Sequence, residues 1–354
     1  MTLSANKTTI AAGAPYGIAG LGQHLAQIVD EAAAKEELEC YYAPAIRPDD
    51  PRGRLVEIPA KDWLFRYTLL RFSQSWKTYI GAELFDRAVA RRVGPGNRFV
   101  GFDGHSLHTF KKARELGYPT LVLESATAHI DHVFRQQEKA VRQHGTEAGW
   151  LNEALRKKTL REYEMADEIF VASEHTHGTF IAGGVPEAKL RRRTLRTQPR
   201  FRPAERIRDD GEFRIVAVGS LSVMKGTPVL VEAFSKLSNP DARLILVGGS
   251  GTRGMRQCME RWLSNDRRIS VAPGDPLPHL QNADVLVHPS FTDGFGYAPA
   301  EALACGVPVI VTEETGMKEY VHEGENGFVV PVGDAGAILD RLDHIRRSPL
   351  VGAK

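Results

Sequence analysis

From residue 213 onward, short apolar runs recur at a regular beat. They are Phe213–Val218, Ala242–Val247, Ile269–Ala272, Asp284–His288 and Val307–Val311. Their apolar residues are nearly continuous rather than alternating, which is the pattern of strands buried on both faces of a parallel sheet. Between them lie stretches with helical spacing, Pro228–Leu237 and Arg253–Asn265. Such alternation predicts a doubly wound α/β domain. The first half repeats this grammar less clearly, with strands expected at Phe99–Phe102, Thr120–Leu123 and Glu168–Ala172. Helices are expected at Ala26–Glu37 and Leu151–Ala166. Prolines, arginines and Asp209-Asp210-Gly211 break the periodicity between Leu195 and Gly211. Two Rossmann-like domains follow, residues 1–205 and 206–354, with ligands expected in a central cleft beyond the carboxyl ends of the strands.

Composition narrows the partners. The chain has 354 residues, with 46 Lys and Arg against 44 Asp and Glu, a net charge of +2. That near-balance excludes a dedicated nucleic-acid binder, whose footprint is a large basic excess. Three cysteines, at 40, 258 and 305, are too few and too scattered for a disulfide framework, so a reducing cytoplasmic compartment is expected. The polar start, Met1 to Ile10, shows no secretory h-region, and no apolar run reaches the length of a membrane span. Contact with the inner face of a membrane stays open. Two stretches suggest it, Trp63–Phe72 with its aromatic and basic residues and the arginine run Arg191–Arg196.

The chemistry concentrates in Pro289–Pro308. Gly294 and Gly296 allow close backbone approach to a ligand, and Pro299 suits the first turn of a helix. A glycine loop that feeds a helix start presents free N–H groups and a positive dipole end, which suits a diphosphate. Asp293 and Glu301 bracket the loop eight positions apart. Carboxylates there would repel phosphate, so they are expected to accept hydrogen bonds from sugar or ribose hydroxyls. On spacing alone, Glu301 also reads as a helix-start acid and Asp293 as a turn residue.

The pattern Pro-Ser…Asp-Gly-Phe-Gly…Glu-Ala-Leu-Ala-Cys-Gly-Val-Pro-Val-Ile resembles the donor-site signature of the retaining glycosyltransferases of family 4, two-domain enzymes of GT-B fold. The resemblance runs from Phe213 to Asp334 and includes Thr315–Glu319 and Asn326–Pro331. The family spacing is Glu, seven residues, Glu; Asp293 stands at the first acid here. Val218–Gly226 resembles the family's Gly-Arg-Leu…Lys-Gly loop, with Lys225 as the phosphate lysine, Gly219 as the glycine and Ser220 at the arginine position. The resemblance implies donor contacts from Phe295, Tyr297 and Ala298, with the base near Ala272–Leu277, hence Gly274 and Leu277. It implies that the glycine-rich start, with Gly20 and Gly22, faces the cleft, and that His129 or His105 contacts the transferred sugar. The setting of His129 looks the closer of the two, while His108 and His132 read as surface or packing residues.

These readings imply a retaining transfer of a hexose from a nucleotide-diphosphate sugar to a sugar, lipid or small-molecule acceptor. No cofactor is expected. No Asp-x-Asp occurs, so Lys225 is expected to do the work of a metal. A non-catalytic sugar-nucleotide binder and a GT-B epimerase or phosphorylase remain alternatives. Thr197–Phe201 replaces the family's usual Gly-Val-Asp, which implies an unusual hinge, and a short or absent crossover helix is expected after Arg346.

Overall fold

A computed structural model describes residues 7–44, 54–59, 67–204 and 210–350. The chain forms two compact units, residues 1–134 with 149–195, and residues 135–148 with 196–354. The boundary read at 205/206 falls outside the described residues, and the compact units divide at 195/196.

The first unit holds a parallel sheet in which β1 (Thr8–Ala11) is an interior strand. β2 (Leu38–Ala43) and β3 (Leu55–Glu57) lie to one side of it. To the other lie β4 (Arg98–Phe102), β5 (Thr120–Ser125), β6 (Glu168–Val171) and β7 (Leu190–Arg192). β1 sits inside the stretch read as a polar start. All four of its residues are buried, and two are threonines, so composition conceals it. Helix α1 (Ala19–Ala34) begins earlier than the periodicity predicts. Leu25, Ile28 and Val29 pack it against Ile10, Tyr41 and Phe102 of the sheet. Each such side chain contributes about 1.5–3 kcal/mol when taken fully from water.

The second unit holds β8 (Phe213–Val218), β9 (Ala242–Val247), β10 (Ile269–Ala272), β11 (Val285–His288), β12 (Val309–Thr312) and β13 (Gly327–Val330). Their order is β10-β9-β8-β11-β12-β13, again parallel. Val216, Leu286, Val309 and Val311 build its core with Ala302. Strand order reverses between β1 and β4 in the first sheet and between β8 and β11 in the second. Loops leaving two such strands diverge over opposite faces and open a crevice between them, where doubly wound sheets bind ligands. No helix among the described residues is long and apolar enough to cross a membrane.

Candidate functional site

At the reversal point of the second sheet, the loop after β8 meets the loop after β11. Phe291 N–H and the Ser290 hydroxyl both donate to the Met224 carbonyl, at 2.8 and 3.4 Å. The loop after β12 braces the same place: Asp293 N–H donates to Glu314 O at 3.0 Å and Gly316 N–H to Asp293 O at 3.1 Å. With both backbones held, Lys225 Nζ lies 2.5 Å from Asp293 Oδ2, and His288 Nε2 lies 3.0 Å from the same oxygen. Burial alone would raise the Asp293 carboxyl, but Lys225 and His288 hold it well below the usual carboxylate range. Sequence reading missed His288. Its signal was its place as the last residue of a buried strand, six residues before Gly294.

Gly296 takes φ +95° and opens the helix Tyr297–Ala304 with no side-chain cap, so the helix start keeps its outward N–H groups. A Cβ on Gly296 would press on Met317, Pro299 and Thr315 at 3.0–3.1 Å. Phe295 is buried, with its ring edge-on to Tyr297, and Ala298 packs on the core below. Gly294 is buried in the same loop. Glu301 sits one turn into the helix and is 3% exposed. The hydroxyls of Thr292 and Thr315, also buried here, have no hydrogen-bond partner among the described residues. Gly219 (φ +135°) and Ser220 lie exposed at the mouth of the β8 loop, as does Gly274 (φ +118°) after β10. Leu277, by contrast, packs against the core.

In the first unit, the reversal point joins the loop after β1 to the loop after β4. His105 belongs to the latter. Its Nδ1 is 3.1 Å from Asp103 O, its ring stands edge-on to Phe85, and its far edge lies over Gly13. A Cβ on Gly13 would come within 2.6 Å of His105 Cδ2, so only glycine permits this approach. Burial lowers the imidazole pKa to about 4, which leaves it neutral at pH 7. Gly20 and Gly22 fall in the first turn of α1 rather than in a loop ahead of it. Gly22 is packed, since a Cβ there would meet Pro15 O at 2.2 Å.

His129, ranked above His105 on sequence context, is 1% exposed and wedged between Tyr163 and Phe180, with centroids at 5.0 and 5.2 Å. Gly183 closes over its Nε2, and Asp131 N–H donates to Nδ1 at 3.3 Å. That is the environment of a core histidine. Three arginines of the run 191–196 are ion-paired within the first unit. Arg193 binds Glu124 and Glu31, Arg192 binds Glu174, and Arg191 reaches Glu168. Of Trp63–Phe72, residues 63–66 lie outside the described residues; beyond them Tyr67, Leu69 and Phe72 are exposed, with Trp76 half exposed.

Residues 198–349 match the family model for glycosyl transferases group 1. The chain is 30% identical over 229 residues to the GDP-mannose-dependent alpha-(1-6)-phosphatidylinositol monomannoside mannosyltransferase of Mycolicibacterium smegmatis. That match covers 58% of this chain and 60% of the relative, short of two thirds of the latter's length. Among solved structures, sucrose-phosphate synthase from Thermosynechococcus elongatus superposes with TM-score 0.71 at 20% identity, covering 97% of this chain and 90% of that one. Anabaena HepE in complex with UDP-glucose gives 0.69 at 14% identity, covering 96% and 89%. The fold is GT-B.

Proposed function

We propose, from the match of residues 198–349 to the family model for glycosyl transferases group 1, that the chain is a glycosyltransferase that moves a hexose from a nucleotide-diphosphate sugar with retention of anomeric configuration. The observation that carries this reading is the meeting of Lys225 and Asp293 at the reversal point of the second sheet, beside an uncapped helix start. A compact ammonium and a row of N–H groups suit the charge that develops on a leaving diphosphate. HepE is solved with UDP-glucose, and the mycobacterial relative is named for GDP-mannose; either donor would present a diphosphate here.

Lys225 already has an anion, Asp293. The donor diphosphate draws the ammonium across, which frees Asp293, still held by His288, to accept hydroxyls of the hexose. Glu301 holds the ribose hydroxyls, and the base lies by Gly274. Ser220 donates a neutral hydrogen bond where the family uses a fixed charge. Lys225 and the helix start supply the positive charge without a metal. A lipid-borne acceptor at a cytoplasmic membrane surface would meet the exposed Tyr67, Leu69, Phe72 and Trp76.

The test is calorimetric titration with UDP-glucose and GDP-mannose. One of them should bind the wild-type chain, with at least tenfold loss in Lys225→Gln and in Glu301→Gln. Binding that neither substitution weakens would remove the reading.

A further inference from the structure

The donor lysine stands on a loop that is anchored from a distant part of the chain. Residues 135–148 belong to the second unit although they lie amid the first in sequence. They run along the carboxyl ends of its strands. Gln143 Nε2 donates to Gly333 O after β13 at 2.7 Å, and the His144 ring stands edge-on to Phe291 after β11. Thr146 passes so close to Gly254, beyond β9, that a Cβ on the glycine would overlap its carbonyl oxygen. Glu147 completes the series with both carboxylate oxygens engaged. Oε1 accepts from Val223 N at 2.7 Å in the loop after β8, and Oε2 accepts from Thr252 Oγ1 at 2.5 Å in the loop after β9.

The loop after β8 requires such an acceptor. Val223 is 1% exposed, so its N–H is shut from water and needs a partner within the protein. The turn itself turns its other groups inward: Lys225 N donates to Ser222 Oγ at 3.2 Å, and Gly226 N donates to Val223 O at 2.9 Å. Glu147 therefore grips the turn two residues before Lys225, with a charged oxygen that binds more strongly than a neutral one. Its other end is fixed as well. Thr252, which it holds, caps the helix Arg253–Asn265 by accepting from Met255 N at 3.2 Å.

We propose that Glu147 is a positioning residue for donor binding, holding residues 222–226 in the shape that presents Lys225 to the donor diphosphate. This rests on the reading of Lys225 given above, and every group involved belongs to the second unit. Glu147 acts through the backbone of Val223, so its loss should be felt only while Lys225 is there to be placed.

The experiment is calorimetric titration of the full chain with UDP-glucose and with GDP-mannose, well below the melting transition. The wild type is compared with Glu147→Ala, Glu147→Gln, Lys225→Gln and the double variant Glu147→Ala/Lys225→Gln. Apparent affinity falls in proportion to the fraction of molecules whose site is competent, so release of the turn in most molecules should raise the donor constant about tenfold in Glu147→Ala. Glu147→Gln keeps an oxygen for the Val223 N–H and offers an amide to the Thr252 hydroxyl, so it should bind within about threefold of wild type. On the Lys225→Gln background, Glu147→Ala should add less than about twofold, because groups that act through one another are not additive. Exchange of the Val223 amide should accelerate in Glu147→Ala and stay slow in Glu147→Gln. A merely structural brace would lower the melting temperature of Glu147→Ala and leave the donor constant of the folded chain alone. The positioning role fails if the wild type binds and Glu147→Ala binds equally well, if Glu147→Gln is as weak as Glu147→Ala, or if the double variant loses the full product of the two factors. If the wild type binds neither nucleotide sugar, the donor-site reading itself fails and takes this role of Glu147 with it. Should Glu147→Ala not fold, Glu147→Asp, whose carboxylate stops one methylene short, is held to the same criteria.

Discussion

Gly226→Ala is the sharpest probe of how the donor lysine is placed. Gly226 has φ +67°, and a Cβ there would lie 1.9 Å from Pro289 O and 2.7 Å from the carbonyl carbon. Two costs add. The left-handed backbone costs a residue with a Cβ about 1–2 kcal/mol. The overlap is with backbone rather than with a flexible side-chain tip, so it forces the two loops apart at about 1–3 kcal/mol. Gly324→Ala is the control: φ +77° in the same unit, with nothing within 4 Å of its Cβ. It carries the first cost alone, and both variants share the same gain from a stiffer unfolded chain. A domain of 150–250 residues loses roughly 2–4 °C per kcal/mol. The transition of the second unit should therefore fall by about 4–20 °C in Gly226→Ala and by about 2–8 °C in Gly324→Ala. The separation should be read by differential scanning calorimetry. Parting the loops also parts Lys225 from Asp293, so donor titration should weaken only in Gly226→Ala. Equal melting of the two variants would refute the claim that Pro289 and Gly226 are packed against each other to set the lysine.

Other outcomes follow from the same geometry. Lys225→Gln removes a charge-assisted contact worth about 1.5–3 kcal/mol, so the donor dissociation constant should rise about 10- to 100-fold while the melting of the first unit is unmoved. Gly13→Ala should displace the His105 ring, visible as a shifted and broadened His105 resonance; an unchanged spectrum would contradict the contact. Burial lowers His105 to about 4, so the folded first unit resists protonation that the unfolded chain accepts. Its stability should decline as pH falls from about 6.5 to about 4, and His105→Ala should flatten that slope in melts recorded across the window. Asp293 is held low by Lys225, so its contribution to the second unit is present above about pH 4 and is lost below it, a loss that Asp293→Asn should abolish.

The two halves of the chain were not equally readable. In the second half the strands at Phe213–Val218, Ala242–Val247 and Ile269–Ala272 fall where the apolar runs place them, because a strand buried on both faces admits little else. The first half hides β1 behind two threonines and β3 in three residues, since hydrogen bonding within a sheet can satisfy a strand that composition leaves ambiguous. The histidines show the same limit. Residue type and nearness to a strand end apply to His105 and His129 alike. Only the packing of Tyr163, Phe180 and Gly183 around His129 separates them.

What the amino-acid sequence determines by itself is the local grammar: the buried parallel strands of the second half, the glycine loop, the lysine, and the two acids eight residues apart. These follow from short-range rules of burial, backbone freedom and helix termini. The tertiary structure decides which charges meet. Lys225 and Asp293 are 68 positions apart in the chain, and Glu162 and Gly104 are 58 apart, yet each pair shares a hydrogen bond. The physical reason is strand order. A reversal between β8 and β11 brings the first pair of loops together, and the packing of helix Glu153–Met165 against helix Leu107–Glu115 sets a carboxylate on N–H groups that their own segment leaves uncapped.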